Sequence, residues 1–247
     1  MINVREMFTL NPQFYEKVRR EPSVKGLLAA NVLTVVLVVL DNWDLGFALV
    51  VFWWQNVIIG IFNVIKILTY PEEFMKGATI RQGGTPVLSG EKAVRTAKVF
   101  LAGFFAVHYG FFHFGYYSFI GHYFKTVSAG LVFLSIVAFA LQEGYALLSG
   151  ARRGERPADL GRLFFFPYIR IFPMHIIIIV GTMIMLVFAG LFGEKAGTMI
   201  GEKIVLVVFL VLKIKADIQM HLYEQDPAWA PEFMKKRIRE AAIPPES

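Results

Sequence analysis

The stretch K–x–K–x–D–x3–H near the end of the chain holds the residues best placed to do chemistry together. Asp217 and His221 stand four apart there, about 40° around a helix, so they share one face. A carboxylate and an imidazole so placed can ligate one metal ion or work as an oriented acid–base couple. His175 is a candidate third metal ligand and Glu143 a candidate general base. Three protein ligands with an open position would suit zinc in a hydrolytic site. A competing reading uses the same spacing differently. Lys213 also lies four residues from Asp217, so the two can form an ion pair, which leaves His221 as an interfacial side chain.

Other polar residues interrupt runs that are otherwise apolar. Asn56 and Asn63 lie in the second such run, His108 and His113 in the third, and Gln142 and Glu143 in the fourth. Counted from the middle of each run, Asn63, Glu143, His175 and Asp217 fall at one depth on four different helices, as the lining of a shared pocket would. Asn56, His108, His113 and Lys213 are further candidates for that lining. His108 and His113 are five apart, about 140° around a helix, so both cannot easily face one centre. Their surroundings, FFAVHYGFFHFGYYSFIGHY, suit either an aromatic-lined pocket with His108 at its polar point or a packed aromatic helix with satisfied histidines. A bis-histidine haem needs two histidines at matching depth, and His108 and His175 do not match. RQGGTPVLSGEK lacks the spacing of a phosphate-binding loop, and no G-x-S-x-G elbow is present.

The elements that must hold these residues are legible from composition. Of 247 residues 56% are hydrophobic and only 18% charged, where a soluble domain carries about a quarter charged residues. Six apolar runs stand out, at about 26–40, 45–68, 99–120, 127–148, 169–191 and 204–223. Most approach the ~20 residues that cross ~30 Å of hydrocarbon. The expected fold is all-α, a polytopic integral membrane bundle of about six transmembrane helices forming a single domain over 1–247. No internal or inverted repeat is visible.

Basic residues cluster in alternate connections. Arg5, Lys17, Arg19, Arg20 and Lys25 precede the first run. Lys76, Arg81, Lys92 and Arg95 follow the second, Arg152, Arg153, Arg156 and Arg162 the fourth, and Lys235, Lys236, Arg237 and Arg239 the sixth. The other connections hold few, so the positive-inside rule places both termini in the cytoplasm. This distribution also argues against nucleic acid as a partner, despite the net charge of +6, since the basic residues do not line one face. Segments 8–20, 163–173 and 228–242 mix aromatic and basic residues and suit interfacial helices on an anionic inner leaflet. The chain has no cysteine, which excludes disulfides, thiolate metal sites and cysteine nucleophiles. It also agrees with a prokaryotic source and a place in the cell membrane.

Several motifs together resemble an uncharacterised family of prokaryotic multi-span membrane proteins, of the domain-of-unknown-function class. They are FWWQN–x6–N–x2–K (Phe52–Lys66), HYGFFHFG (His108–Gly115), R–x2–PMH (Arg170–His175) and K–x–K–x–D–x3–H (Lys213–His221). That resemblance implies no activity. A looser likeness to alkaline ceramidase-type membrane hydrolases implies His and Asp residues around zinc. This chain departs from those proteins in its number of spans and does not reproduce their three-histidine pattern. The sequence therefore supports three functional classes. The first expectation is metal-dependent hydrolysis of a lipid or membrane-embedded substrate, with His175, Asp217 and His221 on the metal and Glu143 as base. The second is a carrier or channel, with Asn56, Asn63, Glu143 and Asp217 lining a path for a small solute or proton. The third is a non-catalytic membrane subunit whose polar residues join helices within the chain or within an oligomer.

Overall fold

A computed structural model describes residues 16, 22–42, 44–75, 79–82, 85–152 and 160–225. Helices dominate: α1 (Pro22–Leu40), α2 (Leu45–Leu68), α3 (Gly90–Ile120), α4 (Ala129–Arg152), α5 (Leu160–Ile176), α6 (Thr182–Phe192) and α7 (Glu194–Gln225). A wider helical turn at Ile177–Gly181 joins α5 to α6 without a break. Among the described residues, five helical stretches are long and apolar enough to cross a membrane: Pro22–Leu40, Leu45–Leu68, Gly90–Lys125, Ala129–Arg152 and Leu163–Phe192. The sixth expected span lies within α7, which is just as long but carries Lys213, Lys215 and Asp217 along its length.

Two features differ from the sequence expectation. Residues 163–173, expected to lie along the membrane surface, are continuous with the apolar helix that follows, although Pro167 and Pro173 stand inside it. Each proline removes one backbone bond from the ladder and tends to bend a helix, and the widened turn begins four residues after Pro173. The second difference is a short antiparallel ribbon, β1 (Thr79–Gln82) with β2 (Thr85–Ser89), between α2 and α3. Segments 8–20 (apart from Glu16) and 228–242 lie outside the described residues.

Local chemistry sets the helix ends. Pro22 opens α1, where a missing N–H costs nothing. Asp44 caps α2, its Oδ1 accepting from the Phe47 amide at 2.7 Å. The connection between α1 and α2 is tied to the start of α7, because Lys203 Nζ donates to the Asn42 carbonyl at 3.3 Å.

Burial shows which helix is central. In α2 72% of the apolar window is buried, against 11% in Leu163–Phe192. α2 therefore forms the axis around which α1, α3, α4, α5 and α7 pack. Close approach of α2 to α3 depends on Gly60, where a Cβ would stand 2.8 Å from the Tyr109 ring. The outward faces carry large apolar side chains such as Phe100, Val107, Phe111 and Phe114, each about 70% exposed or more. An apolar exterior around a polar interior is the arrangement that hydrocarbon favours, since buried polar groups then find partners only inside the bundle.

Candidate functional site

The centre of the site is Lys213. Its ammonium is 2.8 Å from Asp217 Oδ2 and donates to Asn31 Oδ1 at 2.7 Å. It also lies 5.9 Å from the centroid of the Phe52 ring and 5.7 Å from that of Phe139. Asn31 comes from α1, Phe52 from α2, Phe139 from α4 and Lys213 from α7, so one ammonium occupies the place where four helices meet. Lys213 and Asp217 are only 2% and 1% exposed. Two charges taken that far from water persist only when paired and further hydrogen-bonded, and Asn31 supplies the additional bond.

A second ion pair adjoins the first. Arg170 Nη1 of α5 is 3.3 Å from Glu143 Oε1 of α4, and both side chains are buried. Arg170 is near enough to Lys213 for the two cations to repel, an effect that Glu143 and Asp217 offset. Tyr109 of α3 closes the group. Its hydroxyl donates to the Asn56 carbonyl at 3.3 Å, within reach of the fields of Arg170 and Asp217.

Polar contacts continue along the same helices in both directions. Further along α1, Thr34 Oγ1 accepts from Gln55 Nε2 at 3.0 Å. Ser135 Oγ of α4 lies 3.3 Å from the same nitrogen. At the other end of α1, Ser23 Oγ lies 3.1 Å from His221 Nε2. The spacing explains the line: 23, 31 and 34 on α1 and 213, 217 and 221 on α7 each follow one helical face. The result is a polar spine, sealed by apolar neighbours, that runs through the bundle interior.

The sequence candidates separate into two groups. Asn56, Glu143, Lys213, Asp217 and His221 all lie in or beside the spine, and Asn63 is buried about two turns further along the same face of α2 as Asn56. His175 does not join them. It faces Tyr116, whose hydroxyl is 2.6 Å from His175 Nδ1, across the seam between α3 and α5. His108 has the matching arrangement, with Nδ1 2.8 Å from the Tyr168 hydroxyl. Phe112 packs between the two pairs, edge-on to His108, Tyr168 and His175. His113 is buried and its Nδ1 is 3.0 Å from the Tyr109 carbonyl, while Trp53 Nε1 donates to the His113 carbonyl at 3.0 Å.

The expected metal centre finds no support here. Among the described residues no group of three His, Asp or Glu side chains is placed to hold a metal ion. The three expected ligands have separate partners: Tyr116 for His175, Lys213 for Asp217 and Ser23 for His221. An ammonium 2.8 Å from Asp217 Oδ2 occupies the position that a divalent cation would need, and repels one. The ion-pair reading of Lys213–Asp217 describes the geometry, although His221 is 5% exposed rather than interfacial.

Sequence reasoning missed Arg170, Asn31 and the tyrosines. Arg170 sits in an aromatic, proline-broken run that suggested a surface segment, yet it is 3% exposed. Asn31 and Thr34 were visible as two polar residues three apart in an apolar run, the spacing of a single face. Tyr116 and Tyr168 had no signal, because tyrosines in aromatic-rich helices are ordinary packing residues.

No curated protein and no solved structure matches the chain. A family model described as a family of unknown function (DUF6498) matches residues 15–232, which include every residue of the spine. The chain belongs to this family of unknown function.

Proposed function

We propose that the protein is a multi-pass membrane protein, with both termini in the cytoplasm, that carries a small polar solute or a proton through its bundle. The observation that carries this reading is the charge-balanced cluster of Lys213, Asp217, Arg170 and Glu143, buried among helices whose outer faces are apolar. Buried ion pairs contribute little net stability, and apolar residues of similar volume often replace them without loss. Ionisable groups inside a membrane mark solute paths and proton relays by default. The cluster also continues as a line of polar contacts from Gln55 to His221, as a path requires and an isolated helix-joining contact does not. The alternation of Lys and Arg between connections supports the orientation.

Hydrolysis through a zinc ion is not the reading we favour, because Asp217 is engaged by Lys213. A purely structural role remains as the contrast. The test uses the purified chain in liposomes, with solute and proton gradients imposed across the membrane. The carrier reading expects flux above that of protein-free liposomes. It also expects that flux to be lost in the double variant Lys213→Met, Asp217→Leu while the variant still folds. Folded wild-type protein that passes no solute and no protons across the panel would sink the reading in favour of a structural subunit.

A further inference from the structure

The long helix that carries Arg170 and His175 changes character along its length. Its first part, α5, turns one face inward, with Leu163, Phe166, Arg170, Ile171 and Met174 all buried. After the widened turn at Ile177–Gly181, α6 has no buried residue.

The two parts are also held by different means. α6 lies against the start of α7 at backbone distance. A Cβ on Gly197 would run into the Phe188 carbonyl, and one on Gly201 would stand 3.1 Å from the Met185 Cα. Gly181, at the end of the widened turn, meets Val205 of α7 in the same way, since a Cβ there would stand 3.0 Å from its Cγ1. Backbones in contact leave no flexible side chain to give way between them, so α6 and α7 move together.

α5 is fastened instead through the tips of long side chains. Arg170 reaches Glu143 of α4 at 3.3 Å, while Tyr168 reaches His108 and His175 reaches Tyr116, both of α3. Its apolar face holds it less firmly than in water, because lipid tails are as apolar as leucine and replace lost neighbours. Polar tips therefore fix where α5 sits, and such contacts can part and re-form. The helix is also weakened where a bend would serve. Pro173 cannot donate to the Ile169 carbonyl one turn back, nor Pro167 to that of Leu163. The widened turn begins four residues after Pro173. Sharp bends arise at prolines and at widened turns of this kind, and such turns are frequent at functional sites.

We infer that α5 is the cytoplasmic gate of the carrier, swinging about Ile177–Gly181 while α6 stays clamped to α7. The inference rests on the carrier reading and its orientation, in which α5 begins on the cytoplasmic side. The swing draws Arg170 away from Glu143 and lets water reach the ion pairs. Hydrated charges part at far lower cost than dry ones, so opening and wetting proceed together.

The chain has no cysteine, so a single introduced thiol reports on one position. Ile171→Cys on α5 and Val205→Cys on α7 place thiols where the native side chains are 2% and 0% exposed. Proteoliposomes of each are treated with a water-soluble maleimide, and solute and proton flux is followed in wild type and in Pro173→Ala. Labelling of Ile171→Cys is expected to be roughly tenfold faster than that of Val205→Cys, as for sites that open with different free energies. Pro173→Ala should reduce both flux and the labelling of Ile171→Cys roughly tenfold, because a restored helix bond disfavours the bent form. Its melting temperature in detergent should stay equal or rise, whereas loss of a proline needed only for the fold would lower it. Flux from wild type with the two thiols labelled alike, or with neither labelled, overturns the gate. Unchanged flux in Pro173→Ala overturns the hinge on which the gate depends. Should Pro173→Ala not fold, the contrast between the two thiols decides alone. No flux of any kind from folded wild type removes the carrier reading, and the gate with it, whatever the labelling shows.

Discussion

The spine shared by α1, α2, α4 and α7 and the seam between α3 and α5 handle polar groups in opposite ways. At the centre of the spine stand two buried ion pairs, in which each cation lies against an anion. In the seam no carboxylate takes part among the described residues. Two imidazoles face two phenols, His108 with Tyr168 and Tyr116 with His175, and His108 is open to the outer surface. A phenol hydroxyl loses less on leaving water than an ion does, so the seam can hold Tyr116 and Tyr168 on single hydrogen bonds. The spine concentrates its polar groups at the meeting of several helices. The seam spreads them along two helices and fills the space between with rings such as Phe104, Phe112 and Phe164.

The difference can be tested with single substitutions in detergent-solubilised protein. The largest effect belongs to Lys213→Met, which strands Asp217 and the side-chain Oδ1 of Asn31 without their cation. A loss of about 3–5 kcal/mol in unfolding free energy is expected, as for other broken buried pairs. Adding Asp217→Leu should restore most of it. If Lys213→Met melts like wild type, the cluster is hydrated and the contrast with the seam disappears.

In the seam, Tyr116→Phe removes one hydrogen bond and leaves the ring packing against His175. The expected cost is about 0.5–1.5 kcal/mol, read from chemical or thermal unfolding. A loss as large as that of Lys213→Met would mean that the Tyr116–His175 contact holds the bundle as firmly as the central ion pair, and the contrast would fail. The smallest effect is expected for His108→Phe. Its ring stacks on Phe104 at 5.4 Å, which phenylalanine preserves, so stability should stay within about 0.5 kcal/mol. A larger change in a lipid-like environment than in detergent would sharpen the contrast by showing what His108 contributes when hydrocarbon surrounds it.

Much of this arrangement was legible residue by residue. The apolar runs matched five helices long enough to cross a membrane, and the i, i+4 spacing of Lys213, Asp217 and His221 put them on one face. Asn56 and Glu143, expected to line a path with Asp217, are buried as Asp217 is. His175 was grouped with them on depth alone, and depth does not report which neighbour a helix face meets. The α5 face that carries His175 turns toward Tyr116 of α3, whereas Arg170, five residues earlier, turns toward Glu143 of α4. The ribbon between α2 and α3 had no counterpart in the expectation, because two strands this short leave almost no periodic signal.

By itself the sequence determined which segments are apolar, their order and the polar positions on each, because helical period and burial in hydrocarbon act locally along the chain. Only the tertiary structure decided that Lys213 serves Asp217 rather than leaving it to a metal, that Arg170 is buried, and that the histidines divide between two sites. Those outcomes depend on how each helix is rotated against its neighbours and on the reach of long side chains. Packing complementarity across the whole bundle sets these properties, and no single segment encodes them.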